Sequence, residues 1–242
     1  MPGSEHAKKP LLAEISEANL ASKFDHTNLQ PDATAADIEL LCREAKDHSF
    51  FAVCINPCHV RLARNVLSGS PVKVCTVVGF PLGANASSTK LAETETALRD
   101  GAEEIDMVMN IGGFKSGRTA EIIEEIRQIV GIVKSASTEK ICKVIVESAL
   151  LTLNEIEQAC KIVNTGGADF IKTSTGFSKA GGATVEVVEF MNCNRGKLKV
   201  KAAGGIKDLN TALAMLCAGA DRLGSSRSVS ILAELRESSH GR

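Results

Sequence analysis

A single (β/α)8 barrel is the fold class this sequence predicts, and three observations carry the prediction. Short β-prone runs alternate with amphipathic helical stretches along the whole chain, and eight such runs can be marked. Most are continuously apolar instead of alternating, as expected of parallel strands covered on both faces. The chain has 242 residues with no linker-like stretch, which matches the ~250 residues of one barrel domain. A doubly wound open sheet is the alternative arrangement of the same alternation.

The strand candidates, in order, are a short segment around Lys23 to Asp25, then FFAVCIN, VKVCTVVGF, EIDMVMN, KVIVES, DFIKTST, KLKVKAAGG and DRLGSS. Helix starts are marked by two capping boxes, Thr34 with Asp37 and Thr152 with Glu155, each ahead of apolar residues at helical spacing. The longest helix is expected near Ala120 to Lys134, where Ile122, Ile123, Ile126, Ile129, Val130 and Val133 form one apolar stripe. Gly101-Ala102-Glu103, Gly167-Ala168-Asp169 and Gly219-Ala220-Asp221 recur between a helix and the fourth, sixth and eighth strands. Glycine there is the expected left-handed helix stop. Residues 1–20 are read as an N-terminal segment with a short extra helix, and residues 21–242 as the barrel.

Composition excludes several classes of function. With 44% hydrophobic and 24% charged residues the chain can bury a sizeable core, so it is neither a disordered segment nor a membrane span. A formal net charge of -1, with both signs interspersed, gives no global field for nucleic acid or an anionic membrane. The eight cysteines include no CxxC pair and no zinc-like Cys/His cluster, and they read as reduced thiols in a cytoplasmic protein. The polar start MPGSEHAKKP carries no export signal. Any anion site must therefore be local.

In an α/β fold the chemistry belongs at the carboxyl ends of the strands, and the polar residues cluster there. Strand one ends in Asp25-His26-Thr27, strand two carries Cys54 near its end, strand four carries Asp106, and strand five ends in Glu147. Lys172 and Lys201 sit inside the apolar runs of strands six and seven. Two lysines and an aspartate in a shared, partly dry pocket suggest amine chemistry. A lysine of ordinary pKa is only about 0.04% neutral at pH 7, yet a nucleophilic amine must be neutral to attack a carbonyl. Bringing it to a pKa near 7 costs roughly 4.6 kcal/mol, which desolvation and a second nearby cation together can supply.

Thr175-Gly176, Gly204-Gly205 and Gly224-Ser225-Ser226 follow strands six, seven and eight. Backbone N–H groups in such turns commonly hold phosphate in barrels. Lysines beside a phosphate cradle imply a phosphorylated carbonyl substrate.

At FIKTSTGF, VKAAGG, EIDMVMN, VVGFPLG and Asp25-His26-Thr27 the chain resembles the deoxyribose-phosphate aldolases, and the likeness runs through nearly all of it after the first ~20 residues. The resemblance implies a metal-independent, cofactor-free class I aldolase of deoxyribonucleotide breakdown. It would reversibly cleave 2-deoxyribose 5-phosphate to acetaldehyde and glyceraldehyde 3-phosphate. It further implies Lys172 as Schiff-base nucleophile, Lys201 as the cation that keeps Lys172 neutral, and Asp106 as a proton relay working through water. Asp25 and Thr27 would contact the sugar hydroxyls, and Gly176, Gly204, Gly205, Gly224 and Ser226 would hold the phosphate. Apart from the resemblance, the place of Cys54 at the end of strand two is expected to put it on the pocket wall as a substrate-binding candidate. Partners would be small molecules and a second copy of the chain in a homodimer, without nucleic acid or membrane.

Two departures from the family pattern bear on function. Arg227 stands where the loop after strand eight usually has its second serine, so it either adds a bidentate phosphate contact or points outward. The C-terminal tyrosine of some members is missing, since the chain contains no tyrosine and ends in Ser-Ser-His-Gly-Arg. Glu147 could orient either lysine or cap a helix. Another Schiff-base barrel enzyme, transaldolase-like or thiazole-synthase-like, and a non-catalytic binding protein on the same fold are the alternative readings.

Overall fold

Each of the eight β-prone runs forms a strand in the computed structural model, which describes residues 15–240. The strands are β1 (Phe24–Asn28), β2 (Ala52–Ile55), β3 (Lys73–Val78), β4 (Glu104–Val108), β5 (Ile141–Ile145), β6 (Phe170–Lys172), β7 (Lys199–Ala203) and β8 (Arg222–Ser225). All neighbouring pairs are parallel, and β8 pairs back onto β1 through Phe24 and Leu223, closing the barrel. The open-sheet alternative is thereby excluded. Strand β1 starts later than expected and takes in the polar His26, Thr27 and Asn28, because a strand one end of which lines a cavity need not be apolar there.

Ten α-helices are described: α1 (Glu17–Ala21), α2 (Ala35–Asp47), α3 (Val60–Val66), α4 (Ser87–Asp100), α5 (Ile111–Lys115), α6 (Thr119–Ala136), α7 (Leu153–Gly166), α8 (Val185–Asn194), α9 (Leu209–Cys217) and α10 (Ser228–His240). Both capping boxes form. Thr34 and Thr152 accept from the N–H groups of Asp37 and Glu155, whose carboxylates accept in return. The stripe on α6 turns inward, with Ile122, Ile126, Ile129 and Val133 buried and Ile123 and Val130 packed at its margin. Gly101, Gly167 and Gly219 all adopt positive φ ahead of β4, β6 and β8, so the recurring Gly-Ala-acid triplets are helix stops.

The expected N-terminal segment lies for the most part, at residues 1–14, outside the described residues. Its helix, α1, buries Leu20 and Ala21 and is tied to α10 by Arg236, whose Nε donates to Glu17 at 2.8 Å. The last two residues of the C-terminal tail also lie outside. No helix among the described residues is long and apolar enough to cross a membrane.

One buried ion pair lies in the helix layer outside the strands. Lys90 on α4 is fully buried, and its Nζ donates to Glu125 Oε1 on α6 at 2.7 Å and to the Val108 carbonyl at 2.9 Å. The other Glu125 oxygen accepts from Ser87 Oγ at 2.6 Å, which completes the pairing.

Candidate active site

The interior of the barrel is ionic, from Glu104 and Arg222 at the starts of β4 and β8 to Lys172 at the end of β6. Strand register puts Asp106 beside Lys143, Lys172 beside Lys201, and Lys201 beside Arg222. Asp106 is the hub: Oδ2 accepts from Lys172 Nζ at 2.9 Å and Lys201 Nζ at 2.8 Å, and Oδ1 accepts from Lys143 Nζ at 2.7 Å. Lys143 also donates to Glu104 at 2.5 Å. Asp25 accepts from Lys201 on one oxygen and from Arg222 at 2.7 Å on the other. Arg222 lies over the Phe51 ring, 3.4 Å from its centroid, which covers the guanidinium face that carries no hydrogen bond.

These contacts set the charge states. Burial by itself would raise Asp25, but Lys201, Arg222 and Lys143 hold its carboxyl well below the ordinary carboxylate range. Asp106 is likewise held down against burial by Lys143, Lys172 and Lys201. Burial would lower Lys201 and Lys143, yet the carboxylates around them keep both ammoniums above the usual lysine range. The cluster therefore brings four cations, Lys143, Lys172, Lys201 and Arg222, to three carboxylates, Asp25, Glu104 and Asp106. It becomes neutral when one cation gives up its proton.

Above this cluster opens a cavity of about 530 Å³. Lys172, at the end of β6, is the cluster cation on its wall, while Lys201 is fully buried beneath. Thr27, Gly176, Gly204, Gly205, Gly224 and Ser226 also line it, so the three glycine turns converge on one face as their placement after consecutive strands requires. Gly204 sits at φ 84°, and a Cβ there would stand 3.0 Å from Gly182 Cα. At Gly224 a Cβ would press on Ala203 and come within 3.3 Å of Lys201 Cε. At Gly204 and Gly224 the backbone thus approaches its neighbours more closely than a side chain would comfortably allow.

Three expected placements need correction. Asp25 does not face the cavity: it is fully buried, and both its oxygens are taken by Lys201 and Arg222. Cys54 is also fully buried and off the cavity wall, within 4.8 Å of Cys75 and Asp106. Donation from the Cys75 thiol draws the Cys54 thiol down to about 7 against its burial, with the Lys201 charge acting in the same direction. Glu147 pairs with neither lysine, and although it stands at the N-cap of the short 3-10 turn Ser148–Leu150 its side chain makes no capping bond; its Oε2 accepts from Thr175. Asp106 reaches Lys172 and Lys201 by direct contact. Arg227 is exposed and absent from the cavity wall, which is the outward alternative. His26 lines the cavity together with Glu44 of α2, which stands 2.8 Å from its Nε2.

Lys143, Glu104 and Arg222 were missed by sequence reasoning. The period of two along a strand could have found them: Glu104 precedes Asp106 by two residues, and Arg222 precedes Gly224 by two, on the same inward faces. Two groups among the described residues have the make-up of a metal site, Cys54 with Cys75 and Asp106, and Asp25 with Cys75 and Glu104; Lys143 Nζ lies within 3.8 Å of Asp25, Glu104, Asp106 and Cys75. The ammonium supplies the positive charge there.

A buried-amine cluster under a glycine-lined cavity, at the carboxyl end of a closed parallel barrel, defines an enzyme of the barrel class built for carbonyl chemistry. Comparison with known proteins makes this particular. Residues 20–227 match the model of the DeoC/LacD family aldolases, and the chain belongs to that family. Among its relatives, the deoxyribose-phosphate aldolase of Mycoplasmoides pirum is 50% identical over 220 residues, covering 89% of this chain and 97% of the relative. That of Carboxydothermus hydrogenoformans is 48% identical over 219 residues, 90% of this chain and 96% of the relative. A solved structure of the tetrameric deoxyribose phosphate aldolase from Aeropyrum pernix superposes with a TM-score of 0.89 at 32% identity, covering 97% of this chain and 99% of that one.

Proposed function

We propose that this chain is a class I aldolase that reversibly cleaves 2-deoxy-D-ribose 5-phosphate to acetaldehyde and D-glyceraldehyde 3-phosphate through a Schiff base on Lys172. The carrying observation is that Lys172 alone among the four cations of the ionic cluster lines the cavity, beside three glycine turns suited to a phosphate.

In this reading Lys172 Nζ, as the free amine, adds to the aldehyde carbon of the open-chain sugar, and loss of water leaves a protonated imine. Removal of the C3 hydroxyl proton lets the C2–C3 bonding pair flow into the iminium, releasing glyceraldehyde 3-phosphate and an enamine. Protonation of the enamine at C2 and hydrolysis return acetaldehyde and the free lysine. Asp106 moves protons at Lys172, which it touches at 2.9 Å, and Lys201 holds the surplus positive charge of the cluster. Asp25 keeps Lys201 in place from below, and Thr27 is the β1 residue left to meet a sugar hydroxyl. Gly176, Gly204, Gly205, Gly224 and Ser226 would bind the phosphate through backbone N–H groups and one hydroxyl.

The deoxyribonucleotide-breakdown role follows from that substrate, and eight free thiols suit a reducing cytoplasm. A homodimer remains the proposed assembly, to be decided by light scattering, since the Aeropyrum pernix relative is described as tetrameric. The central test is incubation with acetaldehyde, borohydride reduction and mapping of the adduct by mass spectrometry. The adduct is expected on Lys172 and lost in Lys172→Ala along with activity. Labelling of a different lysine would sink the mechanism.

A further inference from the structure

Glu147 is held at a cost that the chemistry above does not explain. It follows β5 in the left-handed region at φ 48°, where a non-glycine residue is strained, and it is nearly fully buried. Its Oε1 has no hydrogen-bond partner among the described residues. A buried carboxylate kept in a strained backbone must do something that a glycine or an apolar residue could not.

What it does is visible at Oε2. Thr175 Oγ1 donates to that oxygen at 2.5 Å and Thr175 N–H donates at 3.2 Å. The same Thr175 hydroxyl accepts from Phe177 N–H at 3.1 Å, so one carboxylate oxygen fixes the whole turn from 175 to 177. That turn follows Lys172 by three residues and lines the cavity through Thr175, Gly176 and Phe177. It also leans on the next one: a Cβ on Gly204 would stand 3.6 Å from Gly176 Cα. The orientation of the carboxylate is in turn set by the backbone at 146 to 148, where Val146 N–H donates to Lys172 carbonyl at 3.0 Å and Ser148 N–H to Thr173 carbonyl at 2.8 Å.

We infer that Glu147 is a positioning residue that clamps the Thr175–Phe177 turn and thereby keeps the Gly176 and Gly204 backbones shaped to receive the substrate's phosphate. The inference rests on the aldolase reading of the same cavity, and it assigns Glu147 no contact with substrate. Its role is to set selectivity for phosphorylated over unphosphorylated sugar, leaving imine formation at Lys172 to the ionic cluster.

The test compares 2-deoxyribose 5-phosphate with unphosphorylated 2-deoxyribose, with borohydride trapping of acetaldehyde as an independent readout. Glu147→Ala should lower the ratio of kcat/KM values between the two sugars by about tenfold or more, chiefly through KM for the phosphorylated one. Inorganic phosphate should weaken as a competitive inhibitor by a similar factor. Trapping on Lys172 should persist, and Glu147→Gln, which keeps an acceptor oxygen for Thr175, should restore the ratio to within about twofold of wild type. If Glu147→Ala does not fold, Thr175→Val should reproduce the loss of selectivity and Thr175→Ser should not. An unchanged ratio in the folded variants, or equal losses on both sugars, would overturn the proposal. Failure of wild-type trapping at Lys172 would instead count against the aldolase reading.

Discussion

Lys90 and Lys201 are both fully buried lysines, one in the helix layer and one inside the barrel, and they differ in how their charge is balanced. Lys90 meets one carboxylate, Glu125, whose second oxygen is occupied by Ser87, so charge and hydrogen bonds close locally. Lys201 shares Asp25 and Asp106 with Arg222, Lys143 and Lys172, so four cations divide three carboxylates. The Lys90 pair closes its own charge, whereas the cluster holds one cation more than its carboxylates, and of its four cations Lys172 is the one on the cavity wall. Burial of a lysine alone therefore says little about reactivity; the local count of charges decides it.

The largest break in this contrast should come from Lys201→Leu. It leaves three cations to three carboxylates, so the cluster is balanced with Lys172 still protonated, and kcat near pH 7 should fall about 10²- to 10³-fold. Part of the loss should return as pH is raised, and a flat pH–rate profile for this variant would show that Lys201 does something else. Lys90→Met should leave Glu125 buried without a counter-charge and cost about 3–5 kcal/mol of stability, with kcat of the folded fraction little changed. Denaturant unfolding measures this, and adding Glu125→Leu should recover most of the loss.

A smaller effect sharpens the same contrast through pH. Asp25 and Asp106 lie below their ordinary value of 3.8 in the folded protein, so their stabilisation is complete above that pH and is lost as pH falls toward the folded values. Lys143 and Lys201 lie above 10.5, so theirs is complete below that pH and is lost as pH rises through the folded values. The contribution of these four groups to thermal stability should be flat between these limits and decline outside them, while Cys54, drawn down from 9.0 to about 7, should add stability as pH rises between those two values. A slope between pH 3.8 and about 7 that disappears on mutating Asp25 or Lys201 would show that the charge states differ from those described.

The helix stops, both capping boxes and the α6 stripe could be read directly because each depends on neighbours within a few residues, where the chain is its own environment. Strand β1 runs later than the segment around Lys23 to Asp25 that the sequence predicts, because Asp25 and His26, though polar, are both accommodated within it, Asp25 toward Lys201 in the barrel interior and His26 toward Glu44 on α2. Lys172, Lys201 and Asp106 stood out as charges in apolar runs. Lys143 and Arg222 are equally charged and equally buried, but they fall at the beginnings of their runs, where a cation looks like a strand terminus.

The sequence by itself determined which residues form strands and helices, where the helices stop, and that reactive side chains gather at the strand ends, since these follow from periodicity and local backbone preference. Tertiary structure alone decided which carboxylate meets which cation, that Asp25 and Cys54 lie beneath the cavity instead of in it, and that Glu147 grips a turn and not a lysine. Those outcomes depend on strand register and on closure of β8 against β1, which bring Asp25 and Arg222 together across almost the whole chain. No local pattern encodes a contact of that range.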